Sequence, residues 1–382
     1  MRYYVESTGT GTSTNHWSLG LTGDLVTTVA AILAAPSPGG DEIWCLQGNY
    51  NLAGNPLNIV GNTQPLSIYG GFAGWETTLC DRRAKISTPP TAAIPNYFQF
   101  PSILDGGGVA GGNTIINMQG ANVCRVDGFL FRNGNAGIAT WNNGGGVRVG
   151  SSINIWLENL VFMDNVAQNG GGTFVEGTFS IMIKDTLFFR NHATDGSGLY
   201  ITDGGNTQLV NLLLNENQPR QGIIGNGNGI YIENNIGLKI INNTISGNNG
   251  SVTGSSDVYI NTANVEIYNS ILYPDILVVP GTPPSTNVTV KHCCLANTPP
   301  PQPPIPPPAN IFVNPLFMNQ SPLSGGGNYR LQAGSQCIDR GDTNLIFPYS
   351  VTDLEGKPRF INGGNPPIFP PMEVDMGAFE VP

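Results

Sequence analysis

Five stretches between residues 157 and 275 are variants of one another: LENLVFMDN (157–165), IKDTLFFRN (183–191), LVNLLLNEN (209–217), IINNTISGN (240–248) and IYNSILYPD (267–275). The third place of each is polar (Asn159, Asp185, Asn211, Asn242, Asn269), with Gly128 as an earlier equivalent, at spacings of 31, 26, 26, 31 and 27. A second register keeps step with it: GGGVRV, GGTFV, GSGLYI, GNGIYI and SSDVYI, whose first inward-looking residues are Val147, Thr173, Leu199, Ile230 and Val258. A period of this length, made of short alternating strands with no helical rhythm, is one coil of a solenoid. Asn and Gly tolerate left-handed backbone, so their recurrence fixes a recurring sharp turn. Stacked copies of that turn place Asn above Asn, where amides can hydrogen-bond between coils. Leucine-rich repeats share the length but need Leu at fixed offsets and usually a helix. The sequence therefore predicts an all-β chain, a right-handed parallel β-helix of single coils.

Composition agrees. Charged residues are 11% of the chain, under half of the usual ~25%. So little Glu and Lys excludes a mostly helical surface, while 40% apolar content excludes disorder. Solenoid ends must differ from the middle, because an open coil exposes core and unpaired strand edges. Leu25, Val26, Val29, Ile32 and Leu33 share one helical face, with Asp24 placed to cap the start and Pro36 to stop it. The predicted division is an N-terminal cap and first coils over 1–110, coils over 111–298, a loop over 299–310, and a C-terminal cap over 311–382. Eight of the ten residues 299–308 are proline, which makes that loop polyproline-like.

Several partners and chemistries are excluded. A net charge of −10 with scattered Lys and Arg is wrong for nucleic acid. No apolar run is long enough to insert into a membrane. The cysteines (Cys45, Cys80, Cys124, Cys293, Cys294, Cys337) lack CxxC spacing, and the histidines (His16, His192, His292) are dispersed, so neither a zinc site nor a Ser-His-Asp or Cys-His centre can be built from sequence. An even cysteine count leaves both disulfides and free buried thiols open. Acidity with abundant Asn and Gly suits an extracellular or cell-surface protein, and no apolar leader follows Met1.

A family resemblance rests on particular motifs. IYGGFAGWETTLCDRRAKIS (68–87) and SILDGGG (102–108) look like the opening of bacterial secreted β-helix proteins. The FxxN pairs (Phe162–Asn165, Phe188–Asn191) and the GG-small-aliphatic repeats are similar to those of chlamydial polymorphic outer-membrane proteins. NPLF (314–317), NYRLQAGSQCIDRGD (328–342), DLEGKPR (353–359) and VDMGAFE (374–380) resemble the C-terminal signature of the choice-of-anchor Q group of surface proteins. The resemblance implies the β-helix fold and a secreted or surface location, and no settled activity.

Alternation within the second register places candidate function on one outward column: Arg148, Phe174, Tyr200, Tyr231 and Tyr259. Rings about 4.8 Å apart in successive coils can stack, and such a stripe suits sugar rings, whose C–H faces pack on aromatic faces. The plainer alternative is a stack that only stabilises the sheet. Two places on come Glu176, Thr202, Glu233 and Asn261. Glu176 and Glu233, two coils apart at roughly 9–10 Å, are the candidate catalytic pair, near the upper limit for an inverting glycosidase, against the plainer and preferred reading of two solvated turn carboxylates. Asp195 and Asp203 bracket the Tyr200 strand and could join either glutamate in a calcium site, the one cofactor the oxygen ligands suggest.

Three functions are open to such a chain. The scarcity of titratable groups on the best face favours a non-catalytic extracellular protein contacting glycan or a partner surface, in an adhesion or matrix role. The alternatives are a polysaccharide lyase or glycoside hydrolase on an extended polysaccharide, and a structural subunit that self-associates.

Overall fold

A left-handed residue recurs at the same place in each coil: Gly128, Asn159, Asp185, Asn211, Asn242, Asn269 and His292 all have φ between 49° and 86°. Each bends the chain between two strands without interrupting the stack, which only small or polar residues tolerate cheaply. The computed structural model describes residues 1–7, 24–82, 98–108, 114–137, 143–220, 225–248, 256–273, 276–279 (backbone), 287–296, 310–319, 327–346, 351–359 and 374–381. Over these the chain is a right-handed parallel β-helix. The proline-rich stretch 299–308 lies outside the described residues.

Each coil presents three faces. The first is an eight-stranded parallel sheet running from Leu57–Val60 through Ile116–Gln119, Val147–Gly150, Thr173–Glu176, Leu199–Thr202, Ile230–Glu233 and Val258–Asn261 to Ile276–Val279. The second and third faces join across the left-handed residue and form one eighteen-stranded sheet; Ser180–Phe189 and Asn206–Asn215 run through both. Val147, Thr173, Leu199, Ile230 and Val258 stand in register and are fully buried, as their spacing predicts.

Identical coils put like side chains on like, and the core is built of such columns. Phe131, Phe162 and Phe188 stack at 4.7 and 4.9 Å between centroids. Beside them runs a buried amide ladder, and it is not the one the repeat suggested. Asn165 donates Nδ2 to Asn191 Oδ1 (2.9 Å), Asn191 to Asn217 (2.9 Å) and Asn217 to Asn248 (2.8 Å). Each also donates to a backbone carbonyl, of Phe131, Phe162 and Phe188 respectively. In the left-handed column Asn211 donates to Asp185 (2.8 Å), and Asn159 donates to Asp127, beside Gly128 (3.0 Å). Asn242 and Asn269 turn instead to the backbone of Asp375 and Asp342.

Those partners belong to a C-terminal strap. Outward residues of the third face (Leu130, Val161, Met163, Leu187, Phe189, Leu213) are apolar and buried. They form one cluster with Phe317, Tyr329, Leu331, Leu354, Met376 and Phe379 from the C-terminal segments. The sequence expected residues 311–382 to close the end of the solenoid. Among the described C-terminal residues only Ile311–Phe312 extends the sheet; the later segments run back along its flank, reaching Asn211 through Arg359. At the other end the helix Leu25–Ala34 forms where its apolar face predicts. Asp24 accepts from the Thr27 amide (2.8 Å), and Leu25, Val29 and Ile32 join the main core against the strand Leu57–Val60.

Candidate functional site

Alternation on the first face turns Val175, Ile201 and Ile232 inward and leaves the residues between them outward. Arg148, Phe174, Tyr200, Tyr231 and Tyr259 are neighbours in strict register. The rings stack at 5.2, 4.5 and 4.6 Å, with interplanar angles of 26°, 8° and 14°. The column is graded in exposure. Phe174 is only 3% exposed and Arg148 only 6%, whereas the three tyrosines are half-buried. Phe174 and Arg148 therefore support one end of the stripe, and the surface open to a ligand is Tyr200, Tyr231 and Tyr259.

The column two places on supplies the polar groups. Its order is Gly150, Glu176, Thr202, Glu233 and Asn261. Arg148 donates Nη1 to Gln119 Oε1 (2.8 Å) and Nη2 to Glu176 Oε2 (3.3 Å). Glu233 accepts at both oxygens, from the Tyr200 hydroxyl (3.1 Å) and from Asn261 Nδ2 (3.0 Å). Gln119, unnoticed in the sequence, was findable: it precedes Gly150 by one coil in the same column. Burial pushes the Tyr200 and Tyr231 hydroxyls well above the usual phenol value, and the Glu233 charge adds to it. Both therefore remain protonated donors throughout the ordinary pH range.

The two aspartates are not drawn into one site. Asp195 accepts from the Asn226 amide (2.9 Å) and lies near enough to raise Tyr200, Tyr231 and Tyr259 by its charge. Asp203 accepts from Thr202 Oγ1 (3.0 Å). Among the described residues no group of three or more His, Cys, Asp or Glu is placed to hold a metal ion, so the suggested calcium site is not assembled there. No helix among them is long and apolar enough to cross a membrane.

A second charged cluster lies on the second face, outside the columns the sequence singled out. Asp127 accepts from Arg82 (2.8 Å) and Arg125 (3.2 Å), and Arg125 also pairs with Glu158. Burial holds Glu158 above the usual carboxylate range. Arg82 also bonds the carbonyl of Gly70 (3.0 Å), which pins the Asp81-Arg82 turn to neighbouring coils.

No family model matches the chain, and no curated protein matches it. Solved structures do. An alginate lyase from Paenibacillus sp. str. FPU-7 is similar at 12% identity over 70% of this chain and 96% of its own, with a TM-score of 0.34. Pectate lyase Pel9A is similar at 14% identity over 99% and 96%, with a TM-score of 0.37. A mannuronic acid specific polysaccharide family 6 lyase from human gut microbiota is similar at 12% identity over 78% and 82%, with a TM-score of 0.22. All three are named as polysaccharide lyases, the class of the alternative reading and not of the preferred non-catalytic surface protein, and that preference is withdrawn. At such identities and TM-scores the likeness carries no activity over to this chain. The chemistry must rest on this chain's own side chains.

Proposed function

We propose that the chain binds an extended, uncharged polysaccharide along its first face and hydrolyses it. One observation carries this: three stacked, partly exposed tyrosines run directly beside a column bearing two carboxyl groups. The stripe is linear and sparing of charge, matching the repeating apolar faces of a sugar chain. Glu176 and Glu233 are separated by Thr202 in the register, two strand spacings or roughly 9–10 Å. That leaves room for both a sugar and a water, the arrangement of an inverting hydrolase, in which the two carboxyls divide the acid and base roles. Tyr200 and Asn261 hold Glu233 by both oxygens, and Arg148 holds Glu176.

The charge pattern favours hydrolysis over elimination. A lyase must neutralise a uronate carboxylate, yet Arg148 on this column already faces Glu176, and Asp195 and Glu233 add negative field. An extended polysaccharide lies outside cells, which fits the proposed extracellular or surface location and the choice-of-anchor Q resemblance. The test is a panel of neutral and uronate-rich polysaccharides, read by new reducing ends and by the ultraviolet absorbance of unsaturated products. Reducing ends from a neutral polymer, of inverted anomeric configuration, are expected. Unsaturated products from a uronate polymer would replace hydrolysis with elimination.

A further inference from the structure

We infer that Cys294 and Cys337 are a disulfide site that fastens the C-terminal strap to the last coil. Cys294 lies on the third-face strand Cys294–Leu295 and Cys337 on the strap, and both are fully buried in the cluster joining strap to coils. Cys294 Sγ reaches the Val313 carbonyl (3.3 Å), and the Cys337 amide donates to Ser335 Oγ (3.1 Å), which in turn donates to the Pro315 carbonyl (2.6 Å), so both free thiols lie beside the same 313–315 segment, close enough to act on one another. The surrounding backbone fixes both residues: the amide of Cys294 donates to the Ser270 carbonyl (2.9 Å), and the Cys337 carbonyl accepts from the Met376 amide (3.0 Å). The neighbouring Cys293 does not compete. Strand alternation turns it into the inner core, where its thiol contacts the Lys291 carbonyl (3.2 Å). Cys45 and Cys124 are likewise sealed in that core, and Cys80 is exposed.

The chemistry is thiol–disulfide exchange with a small-molecule disulfide such as oxidised glutathione. The Cys337 thiolate attacks one sulfur of the oxidant and expels a thiolate. The Cys294 thiolate then attacks Cys337 in the mixed disulfide, expels the second thiolate and closes the bond. Two protein thiols lose two electrons and two protons, and one small disulfide becomes two thiols. Because both sites are buried, exchange takes place while the chain folds, before the strap seals down. The product closes a loop that contains the proline-rich stretch, so a cut in that loop would leave the strap covalently attached.

The test uses the full chain carrying Cys80→Ser, refolded with oxidised and reduced glutathione and then blocked with a thiol reagent in denaturant. Expected are three free thiols of the remaining five and one cross-linked peptide pair containing Cys294 and Cys337. Protease cleavage between residues 297 and 309 should give one band on a denaturing gel without reductant and two with it. Five free thiols after refolding, a cross-link joining other cysteines, or two bands without reductant would each overturn the assignment.

Discussion

Asn191 shows how much one side chain holds in this fold. Its Nδ2 donates to Asn217 Oδ1 and the Phe162 carbonyl, and its Oδ1 accepts from both the backbone and the side chain of Asn165. Asn191→Leu orphans polar groups in both neighbouring coils, each worth ~1–3 kcal/mol when buried. A loss on the order of 3 kcal/mol is expected in chemical denaturation, against little change for Asn58→Ser on the exposed rim. Tyr200→Phe asks a different question. It keeps the ring stack and removes only the hydroxyl that holds Glu233. Turnover on the responsive polysaccharide should fall about tenfold or more with KM almost unchanged, whereas equal turnover would show that Glu233 needs no such anchor. Glu233→Gln should cost about 10²–10⁴ in rate, the usual range for removing a general acid or base.

At the scale of elements, the tyrosine stripe and the phenylalanine stack have the same spacing and opposite fates. Phe131, Phe162 and Phe188 fill the solenoid, while Tyr200, Tyr231 and Tyr259 face outward on another face. Close approach of the coils depends on glycine: a Cβ on Gly172 would meet the Gly198 carbonyl oxygen at 2.6 Å and the Phe188 ring at 2.7 Å. Replacing Tyr200 and Tyr231 together by Ser should leave the far-ultraviolet spectrum unchanged and weaken polysaccharide binding more than tenfold, ~1.4 kcal/mol or more. Unchanged affinity by titration calorimetry would reduce the stripe to a stabilising stack.

The whole molecule is coils plus strap, and the strap is held by unbalanced charge. Arg359 is fully buried and pairs with Glu380 at 3.2 Å, yet Asp353, Asp375 and Asp185 crowd the same guanidinium. One cation cannot compensate them all, so burial and the Asp375 charge push Glu380 up to about 8, and burial pushes Asp375 up to about 6. Folded values above the unfolded ones mean that this contribution is complete below the ordinary carboxylate range. It is lost as pH rises through about 6 and then about 8. Thermal unfolding should therefore show a falling Tm between acidic and mildly alkaline pH. Glu380→Gln, which mimics the protonated acid, should flatten that slope; an identical slope in the variant would place the titration elsewhere.

The repeat alone determined the coil, because a left-handed turn every 26 to 31 residues is a local demand that Asn159, Asp185 and Asn211 advertise by type and spacing. The register of the first face, and hence the column from Arg148 to Tyr259, was legible for the same reason, since strand alternation is a period of two readable from a few residues. Beyond its reach lay whatever depends on packing between distant segments. Phe174 and Tyr200 are equivalent in the repeat, and only the fold buries one and leaves the other partly exposed. Asn165 and Asn159 are both recurrent asparagines, but the buried amide ladder forms where the side chains point inward, while several of the other column meet the strap. The strap itself carries no coil period, and it docks because the third face presents apolar residues on both sides of its strands. That double burial is a tertiary fact: a strand apolar on both faces needs a second cover, and its pattern does not say which part of the chain supplies it.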